Sequence, residues 1–285
     1  MEVHPDARKT LPVLRSEWET CQLCELGVHR DSISGSFVFG EGSPGGVMFI
    51  GEGPGKDEES AGRPFVGLSG QFLRNIISAI GFDRYYITNT VSCRSWVYDY
   101  DMEGVARRDY KTGELRRKDE KPNTKHVIAC SPRLMQEIYI VDPVLIVALG
   151  GNAAEALLGR PVTLQNMSGE VCVAQVPGAT LRPDITDKGN WARKVGRKGE
   201  RQLIWPSVQN KVHYPLIPLF HPVHAMAHER DKRVDSPMYL FAVGMKKAYD
   251  VYSRYMQEVY GTAQGREVTE QDIYEAQADE STGYD

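Results

Sequence analysis

Residues 46–81 read GVMFIGEGPGKDEESAGRPFVGLSGQFLRNIISAIG, and their pattern points to the fold class. The opening GVMFIG is a short apolar run closed by glycine, the mark of a buried strand. It feeds a Gly- and Pro-rich loop, 51–67. In 69–81, Phe72, Ile76, Ile77 and Ile80 then fall on one helical face, with Gly81 as a stop. Outward from there the alternation continues, with a strand at 85–91 (YYITNTV), a helix near 124–141, a strand at 144–150 (VLIVALG) and a helix at 151–159. A further strand, 215-PLIPLF-220, runs into His221–Pro222, and a long helix is predicted over 236–260. Strands alternating with helices imply an α/β fold, a three-layer α/β/α sandwich around a central, mostly parallel sheet. In such sheets ligands bind beyond the carboxyl ends of the strands. The 51–67 loop, Asn89 and His221 all fall at such ends, which makes them candidate site residues.

The chain has 285 residues, 41% hydrophobic and 25% charged, enough to bury a substantial core without staples. No apolar run approaches the roughly 20 residues of a membrane helix. The N-terminus, MEVHPDARKT, lacks a secretory apolar stretch, so an intracellular, cytoplasmic protein with no membrane partner is expected. The net charge of −4 is unevenly spread, because residues 262–285 hold seven acids against Arg266 alone. Basic clusters stand at Arg107–Arg108, at 116–118 and between Arg193 and Arg201. They suit a phosphate backbone, and equally suit solvated loops. The polar stretches 95–122 and 177–210 have no clear period and read as insertions. The expected organisation is one domain over 1–261 carrying both insertions, then an acidic, disordered tail over 262–285 that offers a docking segment for a protein.

Five cysteines in a chain without a secretion signal argue against a disulfide framework. Cys21 and Cys24 form a CxxC pair able to grip one metal centre, and folding can bring Cys93 and Cys130 to it. Four thiolates suit zinc or an iron–sulfur cluster, and the spacing does not choose between them. Cys172, within 171-VCVAQV-176, reads as an inert buried thiol. The loop 51-GEGPGKDEE-59 lacks the glycine spacing of a phosphate-binding loop and places acids where phosphates would sit. Gly53 and Gly55 permit close backbone approach to a ligand, while Glu52, Asp57, Glu58 and Glu59 supply carboxylates. By itself that loop reads as a turn with solvated acids. A lone histidine such as His221 is more often packed than functional. Together with Asn89 and Phe65 it changes meaning, because an amide reads a base edge, a ring stacks on it and a histidine stabilises negative charge. Those are the parts of a flipped-base pocket.

The pieces 21-CQLCELGVHR-30, 49-FIGEGPGKDEESAGRPFVGLSG-70, 87-ITNTVSCRS-95, 129-ACSPRLMQEI-138, 142-DPVLIVALGGNAAEALLG-159 and 221-HP-222 occur here in a telling order. Over roughly 17–95, 123–172 and 214–225 the chain resembles the family 4 uracil-DNA glycosylases, the iron–sulfur group of the uracil-DNA glycosylase superfamily. The resemblance implies that Cys21, Cys24, Cys93 and Cys130 ligate a structural 4Fe–4S cluster. It implies that Phe65 stacks on uracil, Asn89 pairs with its polar edge and His221 bonds its O2 side. Glu52 becomes the first-motif acid that orients water, Gly53 sits where other glycosylases carry Asp, and Glu58 falls where an acid crowds out thymine's methyl group. The implied activity is hydrolysis of the N-glycosidic bond of flipped-out deoxyuridine in single- or double-stranded DNA, by a monomer acting in base excision repair.

Two departures qualify the resemblance. In 221-HPVHAMAHER-230 the leucine that wedges into a duplex is replaced by Ala225 with Met226 beside it, which leaves Met226 as a softer wedge or favours single strands. The insertion after Cys93 is similar in place to that of the UdgX branch, whose basic motif ends in a histidine that becomes linked to DNA. Here 114-ELRRKDEKPN-123 has no histidine, and His126 lies downstream. The alternatives carried forward are a same-fold glycosylase for another base, and a protein that binds or covalently traps uracil-DNA with little turnover.

Overall fold

Val47–Gly51 is buried at every position because helices cover both faces of the sheet it centres. The computed structural model describes residues 10–177, 192–194, 201–203, 211–231 and 233–260, with the single positions 269, 271 and 273. In chain order the first elements are α1 (Leu11–Trp18), α2 (Glu25–Ser32), β1 (Glu41–Gly42), β2 (Val47–Gly51), α3 (Lys56–Ala61), α4 (Leu68–Ile80), β3 (Tyr85–Asn89), β4 (Trp96–Tyr98) and β5 (Arg117–Asp119). Then come α5 (Thr124–Val141), β6 (Leu145–Leu149), α6 (Gly151–Leu158), α7 (Leu164–Met167), β7 (Cys172–Pro177), β8 (Ala192–Lys194), β9 (Arg201–Leu203), β10 (Lys211–Leu219), α8 (Pro222–Ala227) and α9 (Pro237–Tyr260).

The main sheet has the order β1-β3-β2-β6-β10-β7. Its four central strands run parallel, and β1 and β7 close the two edges antiparallel. Side chains alternate across the sheet. Val47 and Phe49 pack with Leu73, Ile76 and Phe241 of α4 and α9, whereas Met48 and Ile50 pack with Leu134, Ile138 and Leu157 of α5 and α6. That is the expected three-layer sandwich. A smaller core gathers Leu14, Trp18, Leu26, Phe37 and Phe39 around Cys93. Among the described residues no helix is long and apolar enough to cross a membrane.

Several expectations change. The apolar run at 215–220 is the end of a nine-residue strand whose first half pairs antiparallel with β7. The 95–122 insertion is β structure, with β4 and β5 paired from Trp96↔Asp119 to Tyr98↔Arg117. Its strands are so short that no long apolar period marks them. Ile273, within the stretch expected to be a disordered tail, is fully buried in the α4–α9 core, and apart from positions 269 and 271 the rest of that stretch lies outside the described residues. Most of the 177–210 insertion lies outside the described residues, apart from Pro177 and the paired β8 and β9, which carry Arg193, Lys194 and Arg201.

Candidate active site and cysteine cavity

At the carboxyl ends of β2, β3 and β10 lies a cavity of about 480 Å³. Its lining includes every residue proposed from the sequence for the base pocket: Glu52, Gly53, Glu58, Phe65, Asn89 and His221. The parallel register sets Gly51 opposite Asn89, so the residues that follow β2 meet the last residue of β3.

Phe65 adopts a left-handed backbone (φ 54°), a conformation that costs a non-glycine residue free energy and survives only when its surroundings enforce it. Arg74 supplies that enforcement, donating to the carbonyls of Phe65 (3.0 Å) and Pro64 (2.9 Å) while pairing with Glu41. Gly70 leaves the room: a Cβ there would sit 2.1–2.2 Å from the Phe65 carbonyl group. Gly51 does the same for the ring, since its Cβ would lie 2.5 Å from both Phe65 Cζ and Asn89 Oδ1. Glu58 clamps the loop between. Its Oε1 accepts from the amides of Val66 and Gly67, both at 2.9 Å, and its Oε2 from Gly55 at 3.1 Å.

Asn89 is buried, and its backbone carbonyl accepts from the Arg133 guanidinium at 2.6 Å. Among the described residues its side-chain amide has no hydrogen-bond partner and lines the cavity. Glu52 accepts from Asn152 Nδ2 at 2.5 Å through Oε1, and its main-chain carbonyl accepts from the Thr90 hydroxyl. His221 caps α8, its Nδ1 accepting from the Val223 amide at 3.3 Å. Burial lowers its pKa to about 4, the nearby His224 and Lys121 act in the same direction, and Glu58 opposes them. At neutral pH the imidazole is therefore uncharged. With Nδ1 accepting, its proton sits on Nε2.

The second predicted group also assembles. Cys21, Cys24, Cys93 and Cys130 line one cavity with Leu26, Phe37, Val91 and Ala129. Burial pushes the Cys93 thiol up to about 12 and raises Cys21 and Cys24 too, so bare thiolates are unfavourable here. Two buried guanidinium groups offset this: Arg30 donates to Cys93 Sγ at 3.5 Å and Arg133 to Cys130 Sγ at 3.8 Å. Pro132 interrupts α5 beside Cys130, and the Ser131 hydroxyl donates to the Ile128 carbonyl that Pro132 cannot serve. His126 lies at this cavity and not at the base pocket. It pairs with Glu25 at 2.8 Å and caps α5 with Asn123. Cys172, expected to be buried, is half-exposed because it lies on the edge strand β7.

Met226 is partly buried against the α4–α9 core and Ala225 is fully buried, while Val223 of α8 is exposed at the pocket. The sequence reading missed Asn152, Lys121 and His224. Asn152 had a signal, since 150-GGN-152 follows a strand end as the 51–67 loop does.

A ring, a side-chain amide and an uncharged imidazole at the strand ends of a three-layer sandwich define a nucleobase-binding α/β protein of the base-flipping class. The family model of the uracil DNA glycosylase superfamily matches residues 39–239, and the chain belongs to that superfamily. It is 34% identical over 183 residues to a type-4 uracil-DNA glycosylase of Pyrobaculum aerophilum, covering 58% of this chain and 81% of that protein. To the type-4 enzyme of Sulfurisphaera tokodaii it is 33% identical, over 53% of this chain and 59% of the other. To that of Thermotoga maritima it is 29% identical, over 56% and 72%. Cys21 and Cys24 lie outside the matched family segment.

Proposed function

We propose that this chain hydrolyses the N-glycosidic bond of deoxyuridine flipped out of DNA, releasing free uracil and leaving an abasic site, and that it does so as a monomer. The observation that carries the reading is the gathering of Glu52, Phe65, Asn89 and a neutral His221 in one cavity. Phe65 stacks on the base. The Asn89 amide, free of protein partners among the described residues, offers one donor and one acceptor to uracil's polar edge. His221 Nε2–H donates to O2, where negative charge accumulates as the bond to C1′ lengthens, and it does so without adding a charge of its own. Glu52, with Oε1 fixed by Asn152, orients the water that attacks C1′ and faces the electron-poor sugar. Gly53 lets the loop approach the base. Glu58, whose oxygens serve three backbone amides, narrows the pocket mainly by holding that loop.

The cofactor belongs to the same reading: Cys21, Cys24, Cys93 and Cys130 hold a 4Fe–4S cluster. Four thiols around one cavity, with two buried arginines donating toward sulfur, suit an anionic thiolate cluster. When bound, the cluster ties the segment between α1 and α2 to the end of β3 and to α5.

The test is to incubate the purified holoprotein, assayed for iron and acid-labile sulfide, with single-stranded and duplex oligonucleotides carrying one uracil. Alkali-labile breaks that disappear in Asn89→Ala/His221→Ala are expected. Intact strands would overturn the excision reading, and an alkali-stable protein–DNA species would replace it with trapping.

A further inference from the structure

The 95–122 insertion carries an aromatic face that the base pocket does not use. Beyond the paired β4 and β5, isolated antiparallel bridges at Tyr100–Ala106 and Arg108–Leu115 extend this two-stranded ribbon outward. Alternation along the strand puts Trp96, Tyr98 and Tyr100 on one face. Trp96 is buried against His29, with ring centroids 5.3 Å apart, and Tyr98 stands edge-on to Trp96 at 5.2 Å. Exposure then climbs from 6% at Trp96 to 39% at Tyr98 and 53% at Tyr100. Arg117 lies over the Trp96 ring at 5.2 Å. The two exposed tyrosines offer flat apolar rings with a polar tip, the kind of surface that is enriched at interfaces.

The foot of the ribbon is fixed at the pocket. Arg94, buried, pairs with Glu59 of α3 at 3.1 Å and with Asp119 of β5 at 2.5 Å. Ser95 and residues 119–122 form one wall of the cavity. The ribbon that carries Tyr98 and Tyr100 therefore begins at that wall. The seven acids and seven bases of 95–122 balance in number, but they are placed differently. Asp99 lies 3.8 Å from both Arg107 and Arg116, Asp101 and Asp109 accept backbone amides in the two turns, and Asp119 is held by Arg94. Lys111, Lys118 and Lys121 have no carboxylate partner among the described residues, and Glu103, Glu114 and Glu120 are the acids left to solvent. The surface is thus near neutral, with stacking as its strong feature. On the other side of the pocket Ala225 is buried and Met226 packs partly buried against the core, which leaves Val223 as the exposed apolar side chain of α8 at the cavity.

We propose that the 96–119 ribbon, through Tyr98 and Tyr100, is a stacking platform for unpaired bases flanking the flipped uridine, which makes single-stranded DNA the preferred substrate. The proposal rests on the excision reading for its biological meaning, but its binding test does not. Bases of any identity stack on tyrosine, and each stacked base contributes enough that losing its ring weakens binding about fivefold or more. In a duplex those faces are already stacked on one another.

The experiment measures fluorescence anisotropy of the full-length protein on a uracil-free single-stranded thymidine oligonucleotide and on the matching duplex, at two salt concentrations. Tyr98→Ala/Tyr100→Ala is compared with Tyr98→Phe/Tyr100→Phe, both at exposed positions. The alanine pair should weaken single-strand binding at least tenfold and duplex binding less than twofold, with a shallow salt dependence, and the phenylalanine pair should bind as the parent does. On uracil-containing strands the alanine pair should raise KM for the single strand and leave kcat unchanged. Unchanged single-strand affinity, as for a face meant for a protein, or an equal loss on both DNAs would overturn the platform. Binding that follows these expectations while uracil stays uncut would sink the excision reading and leave the platform standing.

Discussion

His221 owes its chemistry to where the chain buries it. Its pKa falls from the ordinary 6.5 to about 4, so it is a neutral donor across the physiological range. Between those values the unfolded chain binds a proton that the folded chain refuses. The stability this residue contributes is therefore present above pH 6.5 and declines as pH falls toward 4. The activity profile should follow the folded value: kcat/KM loses its His221-dependent part only near pH 4, and that acid limb disappears in His221→Asn. A limb near 6.5 removed by the same substitution would show a charged imidazole instead. Truncating either donor, Asn89→Ala or His221→Ala, should lower kcat by about 10²–10³. Phe65 is held by geometry, not polarity. Gly70→Ala would thrust a Cβ to within 2.2 Å of the Phe65 carbonyl, so the strained loop must shift. The expected result is a higher KM and a lower melting temperature, whereas an unaffected KM would mean that the ring position is immaterial.

At the scale of elements, the loop from β2 to α4 works as one piece because Glu58 ties Gly55 to Val66 and Gly67. Glu58→Ala strands three backbone amides. Bonds to a charged group are worth about 1.5–3 kcal/mol each when broken singly, and they are not additive here because water reaches the loop. The expected signature is a raised KM and faster amide exchange at Val66 and Gly67, and protection equal to the parent's would show that the clamp is idle. The sequence made the strand–loop–helix repeats legible because each strand is a short apolar run and each helix has one apolar face. It hid what depended on pairing. The first part of β10 contains polar residues and is strand because it pairs antiparallel with β7, and the 95–122 ribbon hides its alternating aromatics among charges. Of the site, side chains that touch a base were readable from type and place at strand ends. The two arginines were not, because their meaning lies in partners distant in the chain, and Asn152 was signalled only by its place after a strand end.

Across the whole molecule, the two sites are joined through one side chain. Arg133 is fully buried in α5 and donates toward Cys130 Sγ at one end of its reach. It also donates to the carbonyls of Asn89 (2.6 Å) and Thr90 (3.0 Å). Its charge is matched by Glu137, which in turn accepts from Tyr86, Thr88 and the Gly40 amide. The cysteine cavity and the base-reading residue are therefore spaced by a single guanidinium, and its removal should be felt at both. Arg133→Met leaves Glu137 buried without its cation, a loss of about 3–5 kcal/mol. Arg133→Met/Glu137→Met removes both charges and should recover much of that stability, since replacing a buried pair by apolar side chains is often near neutral. Packing alone would then predict full activity in the double variant. A positioning role predicts otherwise: with the Asn89 carbonyl untied, kcat/KM stays about tenfold to a hundredfold low even where the melting temperature has returned, because misplacement of a reacting group by about an ångström costs that much. Iron content adds a second readout, and it should stay low in the double variant, because the Cys130 thiolate has lost the cation beside it. Recovery of stability, iron and kcat/KM together would show that the buried pair serves the core and nothing more.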